Sequence, residues 1–186
     1  NATGLLIVGI GRQSTKKLGS LAKDTTKTYE GEVVLGEERD TEDAEGKVVS
    51  KVANVSPPTE KEVNETLASF QGEQEQVPPA FSALKVGGKK AYEMARKGKA
   101  LQIEPRSITV HSIKLVSYDY PKLNIYCEVS AGTYIRSLAR DIGKALGVGA
   151  YLNNLRRTNI GKFSVQNATS LDKLTKENWE NLAVNL

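Results

Sequence analysis

An arginine stands where a helix is predicted to begin, at the end of the segment GTYIR that spans residues 132–136. The positive end of the helix dipole disfavours a cation in the first turn. A guanidinium at that place is suited to bind a carboxylate or a phosphate, because its planar fork donates two parallel hydrogen bonds. Arg136 is therefore a candidate functional residue, and the alternative is an ordinary surface arginine.

A tyrosine opens a predicted strand in the segment Lys27-Thr28-Tyr29. An aromatic ring at such a position can stack on a nucleic acid base. The alternative is a tyrosine that belongs to the core and keeps its hydroxyl in solvent. Tyr29 is therefore a candidate for base binding with a plain structural alternative.

Six acids and one arginine lie between Glu37 and Glu45, in a turn between two predicted strands. A calcium loop of the EF-hand kind needs an oxygen ligand at its fifth position and a glycine at its sixth, where this turn has Ala44 and Glu45. So much negative charge is also an unusual neighbour for RNA. We therefore predict a solvated hairpin tip, in which Asp43 is the acid that remains a functional candidate.

Basic residues concentrate between Ser82 and Arg106. This segment has seven bases and two acids, a net charge of +5, whereas the whole chain carries +4 and its remainder therefore −1. Such a concentration is typical of an element that contacts phosphates, and the alternative is a solvated surface loop. The bases are Lys85, Lys89, Lys90, Arg96, Lys97, Lys99 and Arg106.

Local sequence patterns predict the elements that must position these residues. Alternating apolar and polar residues predict strands over residues 29–35, 47–55, 108–120, 123–129 and 160–165. Thr59 and Glu62 form a capping box that predicts a helix ending at Gly72, and further helices are predicted over 136–146 and 170–182. Because these elements are interleaved without a regular βαβ rhythm, we predict an α+β fold with a mixed, mainly antiparallel sheet.

The bulk composition is that of a globular domain with 186 residues, of which 39% are hydrophobic and 26% charged. The apolar run Gly4–Ile10 is too short to cross a bilayer, and no signal sequence precedes it, so we expect a cytoplasmic protein without a membrane. Cys127 is the one cysteine and His111 the one histidine, so we predict neither an internal disulfide nor a metal site. Because the chain opens on apolar residues that look like core, we expect that upstream sequence is missing.

These segments resemble, in their order along the chain, the motifs of the TruB family of tRNA pseudouridine synthases. Residues 2–6 (ATGLL) are similar to the second half of that family's catalytic signature, GHTGxLDPxATGLL. The other matching segments are 27–29 (KTY, a tyrosine motif), 40–46 (DTEDAEG, an acidic turn), 78–98 (an RNA-gripping insertion), 132–138 (GTYIRSL, an arginine motif) and 155–158 (LRRT, a leucine-arginine motif). The resemblance implies that residues 1–186 are one partial catalytic domain of the pseudouridine synthase type, its sheet flanked by helices, with a basic RNA-binding insertion over 77–106.

The resemblance also implies a reaction that needs no cofactor, in which uridine 55 in the T-loop of tRNA is isomerised to pseudouridine. An aspartate attacks the nucleotide, the glycosidic bond breaks, and the base rejoins through carbon after leaving the stack. Arg136 would hold that aspartate, and Tyr29 would stack on the flipped base and help to remove a proton. The other implied contacts are Tyr134 and Leu155 in the base pocket, Asp43 at its edge, and Lys85, Lys89, Lys90 and Arg96 on phosphates of the T-arm.

The sequence departs from the family pattern at its start. The aspartate of the signature would lie two residues before Asn1, and the family's C-terminal RNA-binding domain is not expected after Leu186. We therefore expect residues 1–186 to be inactive alone and the intact protein to be a monomeric isomerase. The alternatives are a non-catalytic RNA-binding or RNA-folding module and a generic structural domain.

Overall fold

The computed structural model describes residues 2–52, 56–95 and 103–183, and for Val86 and Lys89 the backbone alone. Its strands are β1 (Ala2–Gly4), β2 (Lys27–Leu35), β3 (Glu37–Arg39), β4 (Val48–Lys51), β5 (Gly72–Gln76), β6 (Lys85–Val86), β7 (Lys89–Lys90), β8 (Arg106–Asp119), β9 (Lys122–Val129), β10 (Ala150–Ile160) and β11 (Phe163–Ser164). Its helices are α1 (Gly11–Asp24), α2 (Glu60–Ser69), α3 (Ala91–Ala95), α4 (Ile135–Ala145) and α5 (Trp179–Leu182).

Within the described residues, seven strands form one sheet in the order β1-β10-β2-β9-β8-β5, with β11 paired to β10. The pairing of β1 with β10 is parallel, and the other pairings in this sheet are antiparallel. β3 with β4 and β6 with β7 form two separate hairpins. The predicted α+β fold with a mixed, mainly antiparallel sheet flanked by helices is confirmed.

The core lies between one face of the sheet and the helices α2 and α4. Alternate residues of the central strands are buried there, because side chains in a strand point to opposite faces in turn. The helices cover this face with apolar residues at helical spacing. The buried side chains include Val33, Leu123, Ile125, Cys127 and Val129 from the strands and Val63, Leu67, Leu138 and Ile142 from the helices.

Helix α4 packs closely against β10 because Gly143 has no side chain. A Cβ at Gly143 would lie 2.4 Å from the Cβ of Ala150, which leaves no room for a larger residue. Gly147, with a φ of 72°, ends the helix in the left-handed conformation that the predicted stop at this glycine requires. The short turn from α4 into β10 therefore keeps the helix that carries Arg136 packed against the strand that carries Leu155.

Several local predictions are confirmed, among them the strands β2, β8 and β9 and the helix α4. The capping box is present: the Thr59 hydroxyl accepts the Glu62 N–H at 3.2 Å, and the Glu62 carboxylate accepts the Thr59 N–H at 2.7 Å. The predicted basic insertion runs between Gln76 and Arg106, which are register partners at the ends of β5 and β8. It therefore leaves and re-enters the sheet at one place.

Other local predictions are wrong. Gly4–Ile10 is not a core segment, because Leu6, Val8 and Ile10 are 72%, 71% and 57% exposed and Leu5 is the buried leucine there. The predicted helix over 170–182 is two short pieces, a 3-10 turn at Leu171–Lys173 and α5, and neither piece has a fully buried residue among the described part of the chain. The chain between β10 and β11 turns at 161–162 instead of continuing one strand. Among the described residues, no helix is long and apolar enough to cross a bilayer.

Candidate functional site

A cavity of about 550 Å³ opens where the acidic turn meets the N-terminus of α4 and the start of the basic insertion. Both signs of charge face it, a carboxylate from the turn and a guanidinium from the helix. The residues that line it are Thr41, Asp43, Glu45, Phe81, Ser82, Ala83, Tyr92 and Arg136. Arg136 and Asp43 were both predicted as site residues, and the structure brings them together.

Arg136 binds a carboxylate, as its place at a helix start indicates. Its Nη1 donates to Asp43 Oδ2 at 2.9 Å and to the carbonyl of Thr41 at 2.9 Å, and its Nη2 donates to the carbonyl of Phe81 at 3.0 Å. The Arg136 and Asp43 side chains are 24% and 17% exposed. A hydrogen-bonded ion pair that is largely withdrawn from water is stronger than one on the surface. Arg136 therefore ties the acidic turn and the insertion to one helix.

The turn itself holds the other oxygen of Asp43. Oδ1 accepts the Thr41 hydroxyl at 2.6 Å and the Glu45 N–H at 3.1 Å. Asp43 also forms a parallel β-bridge with Leu152 of β10, where the Ala44 N–H donates to the Leu152 carbonyl at 3.0 Å. The carboxylate is thus oriented by its own turn and by the sheet before any ligand arrives.

A second ion pair stands one helical turn from the first. The Glu42 carboxylate accepts the Ser137 hydroxyl at 2.8 Å and is bound by Nη1 of Arg140. Burial raises the pKa of the Glu42 carboxyl above its usual value, while the Arg140 charge acts in the opposite direction. The prediction that every acid between Glu37 and Glu45 except Asp43 is solvated is therefore wrong for Glu42, and it is also wrong for Glu37, which pairs with Arg39; both side chains are 13% exposed.

The amide side chain of Gln76 fixes the start of α4. Its Oε1 accepts the Tyr134 N–H at 2.8 Å, and its Nε2 donates to the Tyr134 carbonyl at 3.1 Å. Gln76 is 3% exposed. Tyr134 is half-buried at the N-cap of the helix, directly before the turn that carries Arg136, but it is not among the residues that line the cavity.

Tyr29 and Leu155 lie on the neighbouring strands β2 and β10. Tyr29 pairs with Arg157 and Leu155 pairs with Gly31, and both side chains pack against the core. Burial raises the pKa of the Tyr29 hydroxyl, and a hydrogen bond with Arg157 acts in the opposite direction. The structure therefore places these two predicted residues beside each other but outside the lining of the cavity that contains Arg136.

The first strand lies next to this pair. Ala2, Thr3 and Gly4 run parallel to Leu155, Arg156 and Arg157 in the register 2–155, 3–156 and 4–157. The Leu5 N–H donates to the Arg157 carbonyl at 2.8 Å, and Arg157 Nε donates to the Leu5 carbonyl at 2.9 Å. The segment that resembles the end of the catalytic signature is thus anchored to the leucine-arginine motif.

The predicted RNA-binding residues lie in part on the β6–β7 hairpin. Lys85 and Lys90 are exposed and pair in register across it, and Gly87 and Gly88, with φ values of 56° and 81°, form its turn. Positive φ at both turn residues is typical of a two-residue hairpin. The Lys90 ammonium lies 5.6 Å from the centre of the Tyr92 ring, which lines the cavity.

Two of the predicted phosphate ligands cannot be placed. The side chain of Lys89 and the whole of Arg96 lie outside the described residues.

Sequence reasoning missed Glu42, Arg140 and Gln76. Arg140 follows Arg136 by four residues and so lies on the same helix face, which is a signal that the sequence does contain. Gln76 carried no such signal, because its partner is 58 residues away. Among the described residues, no group of three His, Cys, Asp or Glu side chains could hold a metal ion.

Two family models match adjoining parts of the chain. A family model described as TruB family pseudouridylate synthase (N terminal domain) matches residues 1–135, and one described as tRNA pseudouridylate synthase B C-terminal domain matches residues 136–184. The boundary between the two models falls at the start of α4, although β10, which follows it, pairs with β2 in one sheet.

Relatives named tRNA pseudouridine synthase B share a large part of the sequence. The protein of Francisella philomiragia is 41% identical over 179 residues, which cover 96% of this chain and 59% of that protein. The protein of Protochlamydia amoebophila is 45% identical over 166 residues, which cover 89% of this chain and 62% of that protein. The chain thus spans about three fifths of the length of these relatives.

Solved structures support the fold. A structure titled "Crystal Structure of a Cbf5-Nop10-Gar1 Complex" matches with a TM-score of 0.63 and 23% identity over 94% of this chain and 43% of that chain. Another, titled "Structure of H/ACA RNP bound to a substrate RNA containing 2'-deoxyuridine", matches with a TM-score of 0.61 and 22% identity over 94% of this chain and 41% of that chain. The family models and the sequence identities show that the chain belongs to the TruB family of pseudouridylate synthases.

Proposed function

We propose that this chain forms the main part of the uridine pocket of an isomerase that converts uridine 55 in the T-loop of tRNA to pseudouridine. The observation that carries the proposal is the Arg136–Asp43 pair in a cavity between the acidic turn and the basic insertion. A guanidinium held in this way can orient a nucleophilic carboxylate, and the neighbouring lysines can hold the RNA.

Arg136 has donors to offer a second carboxylate. Its three hydrogen bonds use three of the five N–H groups of a guanidinium, so within residues 2–52, 56–95 and 103–183 the Nε–H and one Nη2–H have no partner. The Nε–H lies on the same edge of the fork as Nη2, and such an edge can bind a carboxylate bidentately. We assign that edge to the nucleophilic aspartate of the family signature.

The direction of β1 supports this assignment. Ala2 pairs with Leu155 in a parallel register, so a strand that continued upstream would run back along β10 toward Leu152. Leu152 is the residue that bridges Asp43. A residue two positions before Asn1 would therefore approach the Arg136–Asp43 pair. Catalysis would then need this carboxylate as nucleophile, because neither a backbone amide nor the Thr3 hydroxyl can replace it.

The remaining roles rest on the resemblance to the family motifs. Tyr29 would stack on the flipped uracil and help to remove its proton, Tyr134 and Leu155 would contact the base from beside the Arg136 cavity, and Asp43 would contact the displaced RNA. Lys85, Lys89, Lys90 and Arg96, within the insertion over 77–106, would contact phosphates of the T-arm. We place the protein in the cytoplasm as a monomer that acts on tRNA without a cofactor.

Turnover of a T-arm stem-loop RNA tests the proposal. We expect residues 1–186 to bind this RNA and to form no pseudouridine, and the same chain preceded by GHTGxLDP, the part of the family signature that precedes Asn1, to form it. In that extended chain, Arg136→Ala should lower kcat by about a hundredfold or more and change RNA affinity by less than about threefold, because Arg136 contacts the nucleophile and not a phosphate.

Two results would contradict these roles. Equal losses of turnover and affinity in Arg136→Ala would mean that the guanidinium binds RNA. RNA binding without turnover by the extended chain would favour a non-catalytic RNA-binding module. Arg106→Ala, at the far end of the insertion, is the matched arginine control and should leave kcat unchanged.

A further inference from the structure

We propose that Glu42 and Arg140 form a positioning pair that holds the Asp43 carboxylate on Arg136. Among the described residues that line the cavity, neither Glu42 nor Arg140 occurs, so any effect they have on the site passes through the turn. The importance of the pair for catalysis rests on the proposed function, whereas its effect on the geometry of Asp43 does not.

The two ion pairs match two consecutive carboxylates to two consecutive turns of one helix. Arg136 and Arg140 are four residues apart and therefore project from the same face of α4. Arg136 binds Asp43, and Arg140 binds Glu42. Neighbouring residues of an extended chain point in opposite directions, so two adjacent side chains do not reach one helix face by default.

The backbone of Glu42 provides the required change of direction. Its φ of 63° lies in the left-handed region, and among the described residues it is the one non-glycine residue with positive φ. A residue without glycine's freedom keeps this conformation only where its surroundings hold it. The conformation of Glu42 thus turns its side chain to α4 together with that of Asp43.

Four hydrogen bonds hold Glu42 in place, and one of them is donated by its own N–H to the Arg39 carbonyl at 3.0 Å. Its carbonyl accepts the Leu152 N–H at 3.0 Å, which anchors its backbone to β10. Its two carboxylate oxygens are bound separately, Oε2 by the Ser137 hydroxyl at 2.8 Å and Oε1 by Arg140. The carboxylate is therefore bound at both oxygens, as expected of a group that fixes a turn.

Arg140 also reaches the insertion. Its Nη2 donates to the Val77 carbonyl at 3.1 Å, just as Nη2 of Arg136 donates to the Phe81 carbonyl at 3.0 Å. The two arginines thus hold the acidic turn and the first residues of the insertion at a set distance. Loss of the Glu42–Arg140 contact should loosen both walls of the cavity.

The test compares Glu42→Gln with Asp141→Asn in residues 1–186. Asp141 is the second carboxylate partner of Arg140, at 2.9 Å from Nε, so Asp141→Asn is a matched control that removes a charge and keeps the Glu42 contact. We would measure hydrogen exchange of the Ala44 amide, which donates to Leu152, and rotation of the Arg136 guanidinium by NMR. We expect Glu42→Gln to speed exchange at Ala44 about tenfold and to release the rotation of Arg136, with both unchanged in Asp141→Asn.

The Glu42→Gly variant separates the effect of the Glu42–Arg140 ion pair from the effect of the left-handed backbone conformation at residue 42. Glycine accepts the left-handed φ without strain but has no carboxylate, so it should loosen the turn as Glu42→Gln does. If Ala44 exchange and Arg136 rotation stay at the values of the unaltered chain in both variants, the positioning pair is refuted. Should Glu42→Gln unfold the chain, the same two measurements are made on Arg140→Lys, which keeps the charge but not the fork. Unchanged Ala44 exchange and Arg136 rotation in that variant would likewise refute the positioning pair.

A turnover measurement distinguishes positioning from general stabilisation. In the chain extended by the family signature, Glu42→Gln should lower kcat about tenfold and leave KM unchanged, since the substrate contacts remain. A fall in unfolding free energy with unchanged kcat would overturn the proposal. Failure of the unaltered chain to bind T-arm RNA would refute the proposed function and leave the exchange and NMR results, and hence the pair, standing.

Discussion

The side-chain amide of Gln76 pairs with the backbone of Tyr134 in the way that two strands pair with each other. Oε1 accepts the Tyr134 N–H at 2.8 Å, and Nε2 donates to the Tyr134 carbonyl at 3.1 Å. The last residue of β5 thereby takes up a backbone N–H that the first turn of α4 would otherwise leave unpaired. Gln76 fixes the point from which Arg136 projects.

The first prediction concerns this contact. Gln76→Ala leaves the Tyr134 N–H without its acceptor in a buried place, so we expect it to lower the free energy of unfolding by about 2–3 kcal/mol. Urea denaturation at constant m would measure this loss. Gln166→Ala, at an exposed position, is the control and should change stability by less than about 0.5 kcal/mol. Equal losses of unfolding free energy in the two variants would mean that the Gln76–Tyr134 pairing does not stabilise the fold.

A second prediction concerns the capping box of α2. Thr59→Ala removes the hydroxyl that accepts the Glu62 N–H, and we expect it to lower the free energy of unfolding by about 1 kcal/mol. Thr59→Ser keeps an acceptor at the same place and should retain most of that stability. Thermal unfolding followed by circular dichroism would rank the two variants, and a loss as large for serine as for alanine would contradict the capping role.

The third prediction concerns the lysines of the β6–β7 hairpin. If Lys90 contacts a phosphate, Lys90→Ala should weaken T-arm RNA binding and reduce the slope of log K against log salt by about 1. Fluorescence anisotropy over a series of salt concentrations would give the slope. Lys61→Ala, on the exposed face of α2, removes the same charge outside the insertion and should leave the slope unchanged. An equal change in both variants would indicate a general effect of net charge.

The fourth prediction concerns Cys127. Burial raises the pKa of its thiol from 9.0 to about 12, so the thiolate at pH 8 is on the order of one molecule in ten thousand. We expect no measurable reaction with a thiol reagent in the folded chain at pH 8 and full reaction in urea. Rapid labelling without denaturant would contradict the buried position of Cys127 in β9.

The same shift has a consequence for stability. The folded state keeps its proton at pH values where the unfolded thiol, with a pKa near 9, has lost it, so folding becomes less favourable as the pH rises from about 9 toward 12. At pH 10 the loss should be about 1.4 kcal/mol. The difference in unfolding free energy between the unaltered chain and Cys127→Ala isolates the contribution of Cys127 from that of the lysines and tyrosines. If this difference does not change with pH, the predicted contribution is refuted.

Local rules were sufficient wherever one stretch of chain determines its own structure. The alternation in β2, β8 and β9, the capping box at Thr59 and the helical spacing of Leu138 and Ile142 are all short-range patterns, and each predicted its element. Arg136 and Asp43 were each predicted as site residues, and their pairing with each other is a finding of the structure. The residue type of Arg136 was sufficient to predict an anionic partner, because a guanidinium withdrawn from water requires an anion.

Contacts between distant residues could not be predicted in this way. Leu6, Val8 and Ile10 are apolar, yet which apolar residues become buried depends on what packs over them, and here nothing in the described chain does so. Tyr29 and Leu155 were expected in one pocket with Arg136, but strand register places them beside each other and apart from the Arg136 cavity.

The sequence by itself thus determined the fold class, the family motifs and those elements that carry a short-range pattern, because periodicity and capping act over a few residues. The tertiary structure alone decided that Glu42 is paired and not solvated, and that Gln76 holds Tyr134. These contacts join residues 98 and 58 positions apart. Their formation depends on how α4 lies across the acidic turn and β5, which no local pattern specifies.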